Sequence, residues 1–271
     1  MVSKDSYKSS EFVFFYSVYI YLFVFLKFSN NMSVSKILVC LDFDKTLVEC
    51  NTDVEIKSLL KGKELPEEID NLSKVSKGWT AYMRELFKFL HKNNVTKEDY
   101  IQCLSQLPMI PGMRELLFQM YESGECEIII VSDANYFFIQ TILQHYQLHN
   151  TVSKIITNPA DFDENGCLQI REYQNQTSCA RCPTNLCKGS VLVSYVAKRI
   201  LEGAQFYRTL YIGDGHNDVC AALRLGVNDF VFARVGFRLL RCLEKMPAKN
   251  VKATVVPWET VQDIRDALLS S

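Results

Sequence analysis

The sequence predicts an α/β protein, a doubly wound parallel sheet with a small helical cap inserted after its first strand. Three observations carry that expectation. Short β-branched apolar runs recur at 37–41, 127–131, 154–157, 209–212, 230–232 and 253–256, as in strands buried on both faces. Helix-length stretches alternate with them at 113–121, 136–146, 189–201 and 218–225, as crossovers between parallel strands require. The first two runs are also separated far more widely than one crossover helix needs, so a further unit stands between them.

The chain opens on an apolar and aromatic run, Phe12 to Leu26, broken only by Ser17 and preceded by Lys4 and Lys8. As a helix it would reach about 22 Å, short of the roughly 30 Å hydrocarbon core of a bilayer. Its length fits a signal-peptide core better, but Phe28-Ser29-Asn30-Asn31 offers no small-x-small cleavage site. Residues 1–33 therefore read as a dispensable extension ahead of a start at Met32, as an anchor or signal at 12–26, or as a packed segment. Residues 34–52 and 108–271 form the expected catalytic core. Between them, 53–107 is polar with a helical period, set by Leu59, Leu60, Ile69, Leu72, Trp79, Tyr82, Met83, Leu86, Phe87 and Leu90. Pro108 and Pro111-Gly112 close this insertion, which is expected over the sheet's carboxyl edge. Trp79 and Tyr82, three apart, read as core residues of its helix. Beyond the third strand, Asn165-Gly166 signals a hairpin within 161–170.

Composition narrows the function. Thirty basic residues against 31 acidic ones leave no surplus to attract nucleic acid. Ten cysteines in 271 residues are too sparse for a disulfide-stapled scaffold. Cys40, in a strand, and Cys220, in a helix, are expected as buried thiols in a reducing, cytoplasmic setting, unless the N-terminal run targets the chain elsewhere.

Four segments carry chemistry. Asp42 and Asp44 follow the first apolar run, and ligands bind at strand ends in such sheets. A carboxylate there can attack phosphorus, and its partner two positions on can protonate the leaving oxygen and then deprotonate water. Thr46 can hydrogen-bond phosphoryl oxygens as the chain turns into a helix. Val131-Ser132-Asp133-Ala134-Asn135 ends the second strand, where Ser132 and nearby backbone N–H groups can hold phosphate oxygens. Asp133 could equally be a helix N-cap. Lys188, ahead of a helix, can neutralise phosphoryl charge. In Gly213-Asp214-Gly215-His216-Asn217-Asp218, two glycines permit a sharp turn and two carboxylates offer hard oxygen to Mg²⁺. His216 reads as a loop residue. Cys179, Cys182 and Cys187 could hold zinc with Cys167 or another neighbour as fourth ligand, or simply line a loop packed against Lys188.

This ordered set resembles the haloacid dehalogenase superfamily. Asp44, two after the nucleophile position, is similar to the phosphatases and phosphomutases and unlike the dehalogenases. The resemblance implies Mg²⁺ held by the Asp42 side chain, the Asp44 backbone carbonyl and Asp214, with Asp218 supporting. A closer resemblance runs through Asn51-Thr52-Asp53, Gly78-Trp79-Thr80, Ser132–Asn135, Thr157-Asn158-Pro159-Ala160, Cys179-Ala180-Arg181-Cys182-Pro183 and Asn185-Leu186-Cys187-Lys188. These look like the phosphoethanolamine/phosphocholine phosphatase family, which includes enzymes assigned to pyridoxal 5′-phosphate. It implies substrate contacts from Asp53 and Asp133, and Thr46 and Asn135 join them as candidates. Relatives often carry tryptophan where this chain has Glu55, so an aromatic wall for a quaternary ammonium or a pyridine ring is expected to be missing.

The expected protein is thus a Mg²⁺-dependent phosphatase of small phosphorylated metabolites, with phosphoethanolamine and phosphocholine first. Pyridoxal 5′-phosphate, or thiamine monophosphate or pyrophosphate, is the alternative. The non-enzyme alternative is a catalytically silent binding protein tethered by residues 12–26, with membrane contact only if those residues form an anchor. No nucleic-acid partner is expected.

Overall fold

A computed structural model describes residues 35–74 and 78–269. The N-terminal run, and with it the three readings of residues 1–33, lies outside the described residues. No helix among the described residues is long and apolar enough to cross a membrane.

The six expected strands form one parallel sheet: β1 (Lys36–Leu41), β2 (Cys126–Asn135), β3 (Lys154–Asn158), β6 (Phe206–Gly213), β7 (Phe230–Arg234) and β8 (Thr254–Trp258). Their order is β3-β2-β1-β6-β7-β8, so the chain reverses direction of travel at β1. A reversal point opens a crevice at the carboxyl ends of the two diverging strands, here β1 and β6. β4 (Ala160–Phe162) and β5 (Leu168–Ile170) make the separate antiparallel hairpin, closed at Asn165-Gly166 with Gly166 at φ +80°.

Strand alternation divides the interior. Val39, Leu41, Ile128, Ile130, Leu210, Ile212 and Phe232 face one core. Leu38, Cys40, Ile129, Val131, Tyr211, Val231 and Ala233 face the other. Each fully buried aliphatic side chain contributes roughly 1.5–3 kcal/mol, which is why apolar residues fill the middle of these runs. The second face is covered by α7 (Lys188–Leu201), α8 (Val219–Ala222) and α9 (Arg238–Glu244). The first is covered by α5 (Met113–Glu122), α6 (Tyr136–His145) and α10 (Val261–Leu269).

The insertion holds α1 (Thr52–Glu55), α2 (Glu67–Leu72), α3 (Trp79–Lys92) and α4 (Lys97–Ser105). Thr96 starts α4 with a capping box against Asp99. The apolar face of α3, with Tyr82, Met83, Leu86, Phe87 and Leu90, is buried in the same core as β1 and α6. Phe87 meets Phe138 edge-on at 5.8 Å between ring centres.

Local expectations shift in three places. The chain after Asp44 makes tight turns rather than a helix: Phe43 O accepts the N–H groups of Thr46, Leu47 and Val48, and Lys45 adopts φ +59°. The helix expected over 218–225 is only the single turn α8, because Asp218 is committed to the preceding loop. β2 runs on to Asn135 instead of ending at Val131.

Candidate active site

β1 delivers Asp42 to the reversal point. The Asp42 N–H donates to Ile212 O at 2.9 Å, which extends the β1–β6 pairing by one residue. Its Oδ1 accepts the Phe43 N–H at 2.7 Å, and its Oδ2 faces Lys188 Nζ at 2.7 Å. Lys188 opens α7, is wholly buried, and makes a second ion pair with Asp218 Oδ1 at 2.8 Å. Burial alone would lower the lysine's pKa, but Asp218, Asp42 and Asp133 together outweigh it and raise it, so Lys188 stays charged.

Asp218 is engaged on both oxygens. Oδ1 also accepts the Tyr211 hydroxyl at 2.6 Å, while Oδ2 accepts the N–H groups of Asp214 and Gly215 at 3.1 and 2.7 Å. The carboxylate clamps the glycine turn and orients Lys188. Gly213 is required where it stands, because an added Cβ would meet Asp218 Oδ2 at 2.7 Å.

Thr46 is fully buried, its hydroxyl 3.5 Å from Asp214 Oδ1, and it does not line the cleft. The expectation that it contacts substrate rested on a helix start that the turn at Phe43 replaces. Asn135 is also buried: its Oδ1 caps α6 by accepting the Phe138 N–H at 3.1 Å. Asn135, not Asp133, is therefore the N-cap, and its Nδ2 is buried without a hydrogen-bond partner.

Asp42, Asp44, Asp53, Trp79, Ser132 and Asp133 do line one cleft of about 270 Å³, joined by Asp214. Asp44 accepts the Thr52 N–H at 3.0 Å. Asp133 Oδ2 accepts the Asn217 amide at 2.8 Å, and Asp53 Oδ2 accepts the Trp79 indole N–H at 2.6 Å. The other oxygen of each, Asp53 Oδ1 and Asp133 Oδ1, is buried without a hydrogen-bond partner. A larger groove of about 670 Å³, lined by Glu127, Lys154, Tyr195 and Arg199, lies at the amino edge of the sheet and lacks such a cluster.

Trp79 and Asn217, like Lys45 and Asn51, line the cleft although sequence reasoning left them without a role there. The helical spacing of Trp79 and Tyr82 suggested core for both. Tyr82 is core, but Trp79 is 39% exposed at the first turn of α3 and faces the cleft. It supplies the aromatic surface expected to be missing through Glu55. Asn217 sits inside the Gly213–Asp218 motif, where only the carboxylates drew attention.

Crowding leaves a charge signature. Burial pushes Asp44 up to about 6, while burial and then Asp218 push Asp214 up to about 7. Burial, then Asp44, pushes Asp53 up to about 7, and Asp42 is likewise raised by burial and Asp218. A carboxyl whose pKa is higher folded than unfolded stabilises the fold less as pH rises through that interval. Chelated protein is therefore expected to melt at a higher temperature at pH 5.5 than at pH 7.5. The lowered carboxyls Asp99, Glu127, Asp163, Glu202 and Asp263 act in the opposite sense only in more acid solution. Cys220, lowered to about 5 by its neighbouring thiols, opposes the trend but is outweighed by Asp44, Asp53 and Asp214 together. A flat or rising melting temperature between those pH values would contradict the assignment.

The donor set fits Mg²⁺. Oxygens of Asp42, Asp214 and Asp218 lie within 4.8 Å of one another. They are hard donors, and all but one of these carboxylates keep a lone pair unclaimed.

Comparison with known proteins agrees with this architecture. A family model described as Putative Phosphatase matches residues 37–271. Pyridoxal phosphate phosphatase PHOSPHO2 of Bos taurus is 37% identical over 233 residues, covering 84% of this chain and 95% of its own. The phosphoethanolamine/phosphocholine phosphatase of Homo sapiens is 36% identical over 234 residues, covering 85% and 87%. Apo phosphoserine phosphatase superposes with a TM-score of 0.56 at 14% identity, covering 86% of this chain and 98% of that one, a likeness of fold. The family resemblance read from the motifs thus extends across the described core. The chain belongs to this phosphatase family, phosphoric monoester hydrolases on the haloacid dehalogenase fold.

Proposed function

We propose that this phosphoric monoester hydrolase works through an aspartyl phosphate on Asp42 and takes small phosphomonoesters whose leaving group carries a cationic amine, such as phosphoethanolamine. The observation that carries the substrate class is the pair of buried, partnerless oxygens, Asp53 Oδ1 and Asp133 Oδ1, beside the cleft. Buried carboxylate oxygens without donors are costly, and an ammonium group would satisfy both.

Asp42 Oδ2 is the attacking atom in this reading, oriented by Lys188, whose charge also balances the phosphoryl oxygens. Asp44, pushed up to about 6, is protonated more often near neutral pH than an ordinary carboxyl; in that form it can give its proton to the leaving oxygen and then take one from water. Ser132, buried within β2 and lining the cleft, offers its hydroxyl to the phosphoryl group. Mg²⁺, held by Asp42, the Asp44 carbonyl and Asp214, would supply Lewis-acid neutralisation of phosphoryl charge. Asp218 supports that set without ligating, because four donors already occupy its oxygens. The helices of residues 53–107 act as a cap that brings Asp53 and Trp79 over the leaving group.

Chelation should abolish phosphate release, and Mg²⁺ should restore it together with that part of the melting temperature which the crowded cleft carboxylates cost at pH 7.5. Ca²⁺ should restore the melting temperature better than the rate, since its looser shell disturbs in-line geometry. Full activity after exhaustive chelation would remove the metal from this account.

The substrate class is tested by comparing phosphoethanolamine with 2-hydroxyethyl phosphate, which replaces the ammonium by a hydroxyl. A charge-assisted contact is worth about 1.5–3 kcal/mol, so Asp133→Asn should weaken kcat/KM for phosphoethanolamine roughly ten- to a hundred-fold. The change for the hydroxyl analogue should be small. Asp53→Asn should act the same way, and the ammonium preference should fade as pH falls below about 7, where Asp53 takes up a proton. Equal losses on both substrates would refute a cation-binding role. A second reading, pyridoxal 5′-phosphate, is favoured by Trp79, whose exposed ring could stack on a pyridine. Trp79→Leu with an unchanged pyridoxal phosphate rate would count against it.

A further inference from the structure

Four cysteines from separate parts of the chain meet beside Lys188. Cys179 and Cys182 lie on the irregular segment between β5 and α7, Cys187 is the N-cap of α7, and Cys220 belongs to α8. Their sulfur atoms all lie within 4.8 Å of one another. Cys220 Sγ stands 3.6 Å from both Cys179 Sγ and Cys187 Sγ. Disulfide sulfurs are about 2.05 Å apart, so neither distance is a bond. Four sulfurs each about 2.3 Å from one zinc ion sit at tetrahedron corners roughly 3.8 Å apart. The two 3.6 Å separations at Cys220 match such an edge.

We propose that Cys179, Cys182, Cys187 and Cys220 bind one Zn²⁺ ion in a closed structural site. Cys167, the fourth ligand suggested by proximity in sequence, sits in the β4–β5 hairpin with its thiol turned to Leu168 O at 3.8 Å. Cys220 takes that place from beyond the Gly213–Asp218 loop.

The surroundings are organised for thiolates. The Ser190 N–H donates to Cys187 Sγ at 3.4 Å. The Cys182 N–H turns back to Cys179 O at 3.4 Å, and the Cys179 N–H donates to Gln176 Oε1 at 2.9 Å, which preforms the Cys-x-x-Cys turn. Binding displaces the thiol protons and leaves an excess of negative charge, with Arg224 close enough to act on Cys220. The segment 171–187 has no helix or strand to hold it, so a metal staple is its natural anchor. Two of its ligands flank the catalytic machinery. Cys187 immediately precedes Lys188, and Cys220 stands two positions after Asp218, so the ion would fix the register of the Lys188–Asp218 pair. None of this depends on which phosphomonoester is the substrate.

The test begins with the full chain purified under reducing, chelator-free conditions. One zinc per chain by elemental analysis is expected, and all ten cysteines should titrate as thiols after denaturation with chelator. Exchange with Co²⁺ should give an intense sulfur-to-cobalt charge-transfer band and the visible bands of a tetrahedral thiolate site. Cys182→Ser should lose the zinc, while Cys242→Ser should keep it. After chelation, Mg²⁺ alone should leave the melting temperature depressed until zinc is also supplied. Zinc-free protein with an undiminished melting temperature would overturn the proposal. So would a disulfide among the four cysteines in fresh protein, iron in place of zinc, or a weak octahedral cobalt spectrum. The cobalt spectrum of the unmodified chain decides the matter even if Cys182→Ser does not fold.

Discussion

Asp42→Asn should yield a folded protein whose phosphate release falls by at least about a thousand-fold, because the amide oxygen cannot form the acyl phosphate. The loss is expected in kcat on every substrate, amine or not. Stability should not fall with it. Asp42 is desolvated and pressed by Asp218, which raises its pKa, so the charge is unfavourable in the folded metal-free state. Asparagine preserves the shape and removes one negative charge, and its single amide oxygen can accept from either the Phe43 N–H or Lys188 Nζ, not from both. Lys188 keeps its partner Asp218 at 2.8 Å. A melting temperature equal to or above that of the parent, combined with lost turnover, is the expected signature. Comparable turnover in the folded variant would sink the nucleophile assignment.

Lys188→Met is expected to damage both rate and fold. Methionine is close in volume and keeps the apolar stem packed, so the change isolates the ammonium. Its loss leaves Asp42 and Asp218 buried without a counter-charge, a situation that costs about 3–5 kcal/mol. That is a large share of a typical domain stability of about 5–15 kcal/mol. The proper control is Lys198→Met, which removes the ion pair to Glu202 at 3.7 Å with the lysine side chain 74% exposed. Such surface pairs are worth about 0–1 kcal/mol. Denaturant melts of the two variants should therefore separate clearly, with the deficit of Lys188→Met shrinking at low pH as Asp42, already raised by burial, takes up a proton. Equal midpoints would mean that Lys188 is not the counter-charge of the site.

The sheet was legible because burial on both faces keeps the centres of β1, β6 and β7 apolar, at 37–41, 210–212 and 230–233, and such runs are visible without coordinates. The carboxylates were legible because they follow such runs directly. What stayed hidden depends on contacts distant in sequence. Nothing local separates Trp79 from Tyr82, yet one reaches Asp53 across the cleft and the other enters the core. Thr46 reads as a phosphate contact until the turn at Phe43 buries its hydroxyl beside Asp214. Asn135 reads as a substrate residue until it is found capping α6. Cys220 reads as an ordinary buried thiol until three other sulfurs are brought to it. In each case the residue type was compatible with two roles, and tertiary placement chose.

Gly189 carries a lesson for reading variants of this enzyme. It touches no phosphate, no metal ligand set of the cleft and no leaving group. An added Cβ there would nevertheless lie 2.4 Å from the backbone oxygen of Cys220 and 2.8 Å from its sulfur. Backbone cannot swing aside as a flexible side chain can, so even alanine must push α7 away from α8. Those two helices carry Lys188 and stand behind Asp218. In a survey of inherited substitutions, position 189 would therefore score as intolerant as the nucleophile itself, although it is chemically inert. A harmful change there should be classed as a misaligned site in a protein that still contains every reactive group, and it should respond to whatever draws the two helices back together.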